Sequence, residues 1–547
     1  MDFYVLIQAF MQNNQLNYLL VNHTNEFLIE HNKLKNNSLY KLTGFTGEGL
    51  ALITKDMIYL FVDGRYHIQA DQEVDKQKVE VVKMQYSFSL NDGIIKMVPK
   101  DNSVGLFAKK HSQKQVETLI EKMEVKLFDS DPFDEFCINS DGNFEKINND
   151  VNKGDIADKD TDKNIVKLGI ELTGTSSEEK IDKLKNTLQV DEAIYITDLD
   201  EVSYLFNVRD FVSQKCEAVV KARALVDKNG AYFFTHNQFD ELYNLLKNTQ
   251  KKVFVDKTTI NAYDFVLLGN KAFALKNKTL QLMMAQKNDI ELKQMQIAVN
   301  GADKALLETR KYIEENENLS EYDIDMFLEQ QFKEQGAVGM SFASIVARNQ
   351  NSALAHYSKS SKNEIIKDGD LVLIDCGGYW ESGLATDMTR VFVKGQPNEE
   401  QRKIYTYVLK AFLLAFNYPK MSEKKDICGG EIHKAVVDFF EKQKNDLDGF
   451  VFNHGLGHGI GISVHESLPS LSGNKTTARE PLLDGEIHSI EPGLYKEGAF
   501  GVRLENTCYF KDGSIHSFTK MPFEKKLIDF AILSNVEKQQ LEEFVLI

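Results

Sequence analysis

A chain of 547 residues, 42% hydrophobic and 27% charged, with a formal charge of −17, is too long for one ordinary domain and too apolar for wholesale disorder; length alone suggests about three to four domains. The acidity argues against nucleic acid, because no Lys/Arg cluster is present to neutralise phosphates, and favours small or cationic ligands. No run reaches the roughly 18 apolar residues that a membrane helix needs, the start MDFYVLIQAFMQNNQ lacks a basic region or a small-residue cleavage site, and five scattered cysteines without a C-x-x-C pair predict reduced thiols; a cytoplasmic protein is expected.

In chain order, ALITKDMIYLFVDGRY (51–66) reads as strands broken at Asp63-Gly64, followed by a helix-like HIQADQEV. The stretch 138–163, rich in Asp, Asn and Lys, reads as a solvated linker or surface insertion. After it, KIDKLKNTLQ (helix), VDEAIYITD (strand), DEVSYLFNV (helix) and AYFFT (strand) alternate in an α/β manner. From Asn288 the spacing predicts a long helix over DIELKQMQIAVNGADKALLETRKYIEE. Beyond it, the strands DLVLIDCGGYW, TDMTRVFV, EIHSIEPGLY and GVRLENTCYF mix with the helices EEQRKIYTYVLKAFLLAF and GGEIHKAVVDFFEKQK, which predicts an α+β domain. The expected division is 1–163, 164–287 and 288–547.

Of 12 histidines, three (His454, His458, His465) fall within NHGLGHGIGISVHE. A helical pairing of His454 with His458 is defeated by glycines at 455, 457, 459 and 461, which cost too much inside a helix and allow close backbone approach to something bound. The dinucleotide fingerprint, the Walker A pattern and H-E-x-x-H all fail here. Asp375 and Asp387 sit on the arms of an apparent hairpin, and Glu491 and Glu505 follow apolar residues on strands. Four inward acids with one histidine repel one another unless divalent cations neutralise them. An oxygen-rich, cysteine-free donor set suits manganese, iron or cobalt better than structural zinc, and the reaction class is metal-assisted hydrolysis.

The stretches LIDCGG, TDMTR, HGLGHGIG, IEPG and RLEN occur in the order found in the pita-bread metallopeptidases, and the chain resembles the long, three-domain aminopeptidase P branch of that family. YKLTGFTGEGLALITKD, DGRYHIQA, LGIELTGTSSEEKIDKLK and LDEVSYLFNVRD extend the resemblance across most of the sequence. It implies an α+β pita-bread catalytic domain preceded by two smaller α/β creatinase-like domains. It further implies two divalent ions, manganese foremost with cobalt or zinc as alternatives, held by Asp375, Asp387, His458, Glu491 and Glu505, with Asp387 and Glu505 bridging. His356, His454 and His465 would line the site, Glu491 would be the general base, and Arg503 would orient the ligands from behind. The implied activity is removal of the N-terminal residue from peptides with proline second, by a cytosolic homodimer. A prolidase-type Xaa-Pro dipeptidase and a non-catalytic peptide-binding module are the alternatives. Asp375 and Asp387 are 12 apart, one more than is usual in the family, so GYWESGLA is expected to form a longer turn; a bulge within a strand would instead turn one Asp away.

Overall fold

The computed structural model describes residues 3–30, 32–85, 88–138, 144–146, 161–213, 216–357, 359–473 and 476–547, so most of the 138–163 stretch lies outside the described residues. Packing divides the chain into two compact units, one of residues 1–163, 178–205 and 220–278, the other of 164–177, 206–219 and 279–547.

In the first unit the strands Leu50–Ile53 and Ile58–Val62 form a hairpin, as the sequence predicts, and belong to a six-stranded sheet centred on Leu50–Ile53 and Tyr18–Asn22. The period-2 alternation of a strand explains how this sheet is covered twice. Leu19, Val21, Ala51 and Ile53 enter one buried cluster with Phe3, Ile7 and Tyr66, whereas Leu20, Leu50 and Leu52 enter another with Ile94, Val116 and Leu119. A sheet buried on both faces needs near-continuous apolar strands, and LALI is fully buried.

A second, five-stranded sheet carries Glu192–Ile196 at its centre, beside Ala222–Asp227 and Lys252–Val255. Arg223, on one of these strands, is buried against Asp264 and Tyr243 and donates to the Glu26 carbonyl of the first half. Asn261 donates to the same carbonyl at 2.9 Å, and the Ala262 amide donates to the carbonyl of His111. These cross-links are why the two sheets pack as one unit.

The second unit begins with the segments 164–177 and 206–219, which the expected division at 163 and 287 placed in a middle domain. They pair as Val166–Lys167 with Val208–Arg209, Arg209 donates to the Gly383 carbonyl, and Asn288 donates to the Thr173 carbonyl at 2.8 Å. Asn288 also caps the 27-residue helix Asp289–Glu315 through a reciprocal box with Glu291, which fixes where that helix starts. A second long helix, Glu399–Met421, is capped by Asn398 and Gln401 and presents Tyr405, Leu409 and Phe412 to the core of the unit.

The curved sheets of this unit are shorter than the sequence predicts. Three strands read as continuous are each broken: 371–379 at Gly377, 487–495 at Glu491-Pro492 and 501–511 at Leu504-Glu505. Pro492 has no N–H for a ladder, and the freed amides find other partners: Glu491 donates to the Leu456 carbonyl and Glu505 to that of Thr389. Glu491 and Glu505 therefore stand at strand breaks and not within strands. Among the described residues no helix is long and apolar enough to cross a membrane.

Burial lowers the pKa of His111, which is fully enclosed at the junction of the two sheets, from 6.5 to about 4. Between those values the unfolded chain holds a proton that the folded chain does not, so this contribution is present above pH 6.5 and lost as pH falls toward 4. It amounts to at most about 3 kcal/mol at 1.36 kcal/mol per pH unit. Melting followed by circular dichroism in chelator is expected to show a falling Tm from pH 7 to 5, with a shallower fall for His111→Gln; an unchanged slope would contradict the assignment.

Candidate metal centre

The hairpin of Leu371–Cys376 and Met388–Val393 supplies two carboxylates. Its ladder runs from Leu371↔Val393 to Cys376↔Met388 with no register shift, Asp375 standing opposite Thr389. Asp387 lies two residues from Thr389, so both aspartates leave the ribbon on one face. The longer connection is taken up in the turn, where Tyr379 bridges to Ala385 and Gly383 adopts a positive φ. No bulge interrupts the strands, and neither aspartate is turned away.

His458 comes from the short strand Gly457–Gly459, next to the edge strand Glu466–Leu471 of a five-stranded sheet. The glycines around it are required by the sheet itself: a Cβ on Gly457 would lie 2.1 Å from the Ser489 carbonyl oxygen and one on Gly459 2.1 Å from that of Leu468. The close approach anticipated for a bound partner is therefore an approach of neighbouring backbone. His458 Nδ1 faces the Gly459 carbonyl at 3.1 Å, which as donor leaves Nε2 with its lone pair directed at Asp387 Oδ2 and Glu491 Oε1, each 3.5 Å away.

Asp387, His458 and Glu505 place one ligand atom each within 4.8 Å of one another. Asp375, Asp387 and Glu505 are buried. Burial, reinforced by Glu505, Asp375 and Glu491, holds the Asp387 carboxyl well above the ordinary carboxylate range, with Arg503 opposing. Burial together with Glu491 and Asp375 does the same to Glu505.

Arg503 is the guanidinium behind this cluster. It donates from Nη2 to Asp375 Oδ2 at 2.5 Å, from Nε to the Thr389 hydroxyl at 3.0 Å and from Nη1 to the Tyr495 hydroxyl at 2.8 Å. Thr389 in turn donates to Glu505 Oε2 at 2.7 Å. Tyr495 accepts from Arg503 and donates to His454 Nε2 at 2.9 Å, while His454 Nδ1 lies 2.7 Å from the Gly455 carbonyl and 3.8 Å from Glu491 Oε2. Burial pushes the Tyr495 hydroxyl up to about 12, so it keeps the proton it donates.

His465 is exposed and stands perpendicular to the His458 ring at a centroid separation of 4.4 Å. His356 is half-buried, and the preceding carbonyl, of Ala355, accepts from Arg503 Nη1 at 3.3 Å. The structure thus gathers Asp375, Asp387, His458, Glu491, Glu505 and Arg503 with His454 and His465, and ties His356 to them through Arg503.

The residues fit a pair of divalent cations. Four carboxylates and an imidazole lone pair gather where, among the described residues, the Arg503 guanidinium opposes them, and Asp375 Oδ1 is buried without a hydrogen-bond partner. A divalent cation would satisfy an orphaned carboxylate oxygen in such a place.

Thr389, Tyr495 and a buried pair of Lys287 and Glu466 went unread in the sequence. Lys287 Nζ and Glu466 Oε2 are 2.5 Å apart, and Glu466 Oε1 accepts from the Ile462 amide, holding the loop that presents His465. Thr389 belongs to the motif already singled out and Tyr495 follows Glu491 by four residues, but nothing in their local pattern separates them from ordinary strand residues.

Comparison with known proteins agrees with this geometry. Residues 293–512 match metallopeptidase family M24, and residues 158–241 match the creatinase/prolidase N-terminal domain. The chain is similar along 98% of its length to Xaa-Pro aminopeptidase 1 of Dictyostelium discoideum, at 25% identity and with 91% of that protein covered. It is 27% identical to a probable Xaa-Pro aminopeptidase P of Pyricularia oryzae, covering 92% of this chain and 88% of that one. Its fold is that of the X-prolyl aminopeptidase of Caenorhabditis elegans, described as a cytosolic enzyme with a di-nuclear active site, with a TM-score of 0.82, 21% identity and coverage of 96% and 90%. The expected α+β architecture, a pita-bread M24 domain preceded by creatinase-like structure, is the architecture found.

Neutralising one acid of the cluster is expected to stabilise the metal-free protein, because like charges are relieved, and to abolish most of its stabilisation by metal. For Asp387→Asn and Glu505→Gln in chelator, Tm should rise by about 2–4 °C per kcal/mol relieved. Added manganese should then raise Tm far less than in the wild type; variants that melt lower in chelator yet respond fully to manganese would count against a metal centre.

Proposed function

We propose that this protein is an Xaa-Pro aminopeptidase that uses two divalent metal ions to release the N-terminal residue from peptides with proline at the second position. The observation that supports the reading is the meeting of Asp387, His458 and Glu505 within 4.8 Å of one another, with Glu491 3.5 Å from His458 and Asp375 near enough to raise the Asp387 pKa, in a chain whose relatives of that name align with it nearly end to end. That end-to-end alignment favours an aminopeptidase over a dipeptidase built on a shorter chain. A homodimer in the cytoplasm and manganese as the native metal, with cobalt or zinc as substitutes, complete the proposal.

In this reading Asp375, Asp387, His458, Glu491 and Glu505 would hold the ions. When bound, the ions supply Lewis acidity and a water that ionises near neutral pH. Glu491, at the break between two strands, takes the proton of the attacking water and is the general base. His454, fixed by the Tyr495 hydroxyl at one nitrogen, faces Glu491 with the other, where it steadies charge developing on the peptide carbonyl. His465, exposed beside His458, and His356 hold the peptide end and return a proton to the departing proline nitrogen. Arg503 keeps Asp375 and, through Thr389, Glu505 in place.

Chelator-stripped protein is expected to be inactive, and manganese should restore cleavage of an Xaa-Pro-Xaa tripeptide. Cleavage of Xaa-Pro dipeptides alone would point to a prolidase-type enzyme, and failure with manganese, cobalt and zinc would point to a non-catalytic peptide-binding module. Glu491→Gln should lower kcat by about 10²–10⁴-fold, the range for loss of a general base; a variant retaining wild-type kcat would exclude Glu491 from that role.

A further inference from the structure

Glu321 is the first residue of the helix Glu321–Glu334 and is fully buried, an expensive place for a carboxylate. Arg348, the nearby arginine, carries its guanidinium to Asp370 and Glu364. What Glu321 has instead is four hydrogen bonds, all from residues that bracket His356. Oε1 accepts from the Arg348 amide at 2.6 Å and from Asn351 Nδ2 at 2.9 Å. Oε2 accepts from the Tyr357 hydroxyl at 2.7 Å and from the Ser361 amide at 3.0 Å. The helix N-terminus adds a favourable dipole, and Ser320 caps it, so the carboxylate is itself held in a fixed direction.

On its other side the same stretch of chain is tied to the metal centre. Ser352 exchanges hydrogen bonds with Gly501, at 2.8 and 3.0 Å, and the Ala355 carbonyl accepts from Arg503, the partner of Asp375. His356 thus hangs between a buried carboxylate and the guanidinium that orients a metal ligand.

We propose that Glu321 is a positioning residue for His356: its two oxygens, by gathering Arg348 and Asn351 on one side and Tyr357 and Ser361 on the other, set where the imidazole stands against the metal centre. The proposal rests on His356 facing the peptide, as the functional reading above has it. Glu321 touches neither substrate nor metal, and it acts through the backbone that it orders.

Glu321→Gln is isosteric, yet whichever oxygen becomes an amide nitrogen then faces two donors, so about half of the contacts fail. Tyr357→Phe removes a single donor and guards against a folding failure in the first variant. With metal content unchanged, Glu321→Gln is expected to lower kcat/KM for an Xaa-Pro-Xaa tripeptide by about 10–100-fold, as loss of such supporting contacts does, and Tyr357→Phe by less. Combined with His356→Ala, Glu321→Gln should add less than about twofold, because the two act as one unit. A full additional loss in that background would show a general structural role and overturn the proposal. A second reading does not depend on catalysis. In zinc-loaded protein labelled at the histidine Cε1 position, the His356 resonance, assigned by its loss in His356→Ala, should move in Glu321→Gln while that of His111, which belongs to the first unit, stays. An unmoved His356 resonance overturns the proposal even if tripeptides are cleaved. A moved one sustains it even if no Xaa-Pro peptide is cut, in which case the aminopeptidase reading fails alone.

Discussion

Buried like charge is the constraint around which the second unit is built. Asp387 and Glu505 are enclosed with Asp375 and Glu491 nearby, and burial and mutual repulsion push Asp387 and Glu505 toward protonation. One guanidinium, Arg503, opposes this, and it is spread over Asp375, Thr389 and Tyr495. A folded chain keeps such a group of acids together only when the surrounding structure over-determines their positions and a cation completes the charge. The hairpin, the short strand of His458 and the strand breaks at Glu491 and Glu505 are the means by which it does so.

The strand breaks are the least expected of these. A residue in a regular ladder points along a fixed normal to the sheet, and only two directions are available. Leaving the ladder at Glu491-Pro492 and Leu504-Glu505 frees both glutamates to turn toward a point reached from the hairpin by Asp375 and Asp387. Their amides are not wasted, since Leu456 and Thr389 accept them. The glycines flanking His458 belong to the same economy, because a Cβ at 457 or 459 would collide with carbonyls of the adjoining strands.

Around the cluster lie groups that have no chemistry of their own and yet fix those that do. Tyr495 passes a hydrogen bond from Arg503 to His454, Lys287 neutralises Glu466 beside the His465 loop, and Glu321 orders the chain on both sides of His356. Each is a buried polar group with at least one partner far away in sequence, which is the form that precise placement takes in a protein interior.

The sequence by itself determined which residues the proposed centre would be made of. Asp375, Asp387, His458, Glu491 and Glu505 stand in short motifs whose residue types and order are distinctive, and helices such as Asp289–Glu315 declare themselves by apolar spacing and by a cap at Asn288. Those are local properties, written within a few residues of one another. Only the tertiary structure decided that Arg503 would reach Asp375 across 128 positions, that Glu321 would hold residues 27 to 40 places away, and that 164–177 and 206–219 would pack with the C-terminal unit. Nor could it be read in advance that three apparent strands would break, since a β pattern states that a stretch is extended but not which sheet each half will join. Long-range pairing is fixed by which buried donors and acceptors can satisfy one another once the sheets have closed, and that information belongs to no single segment of the chain.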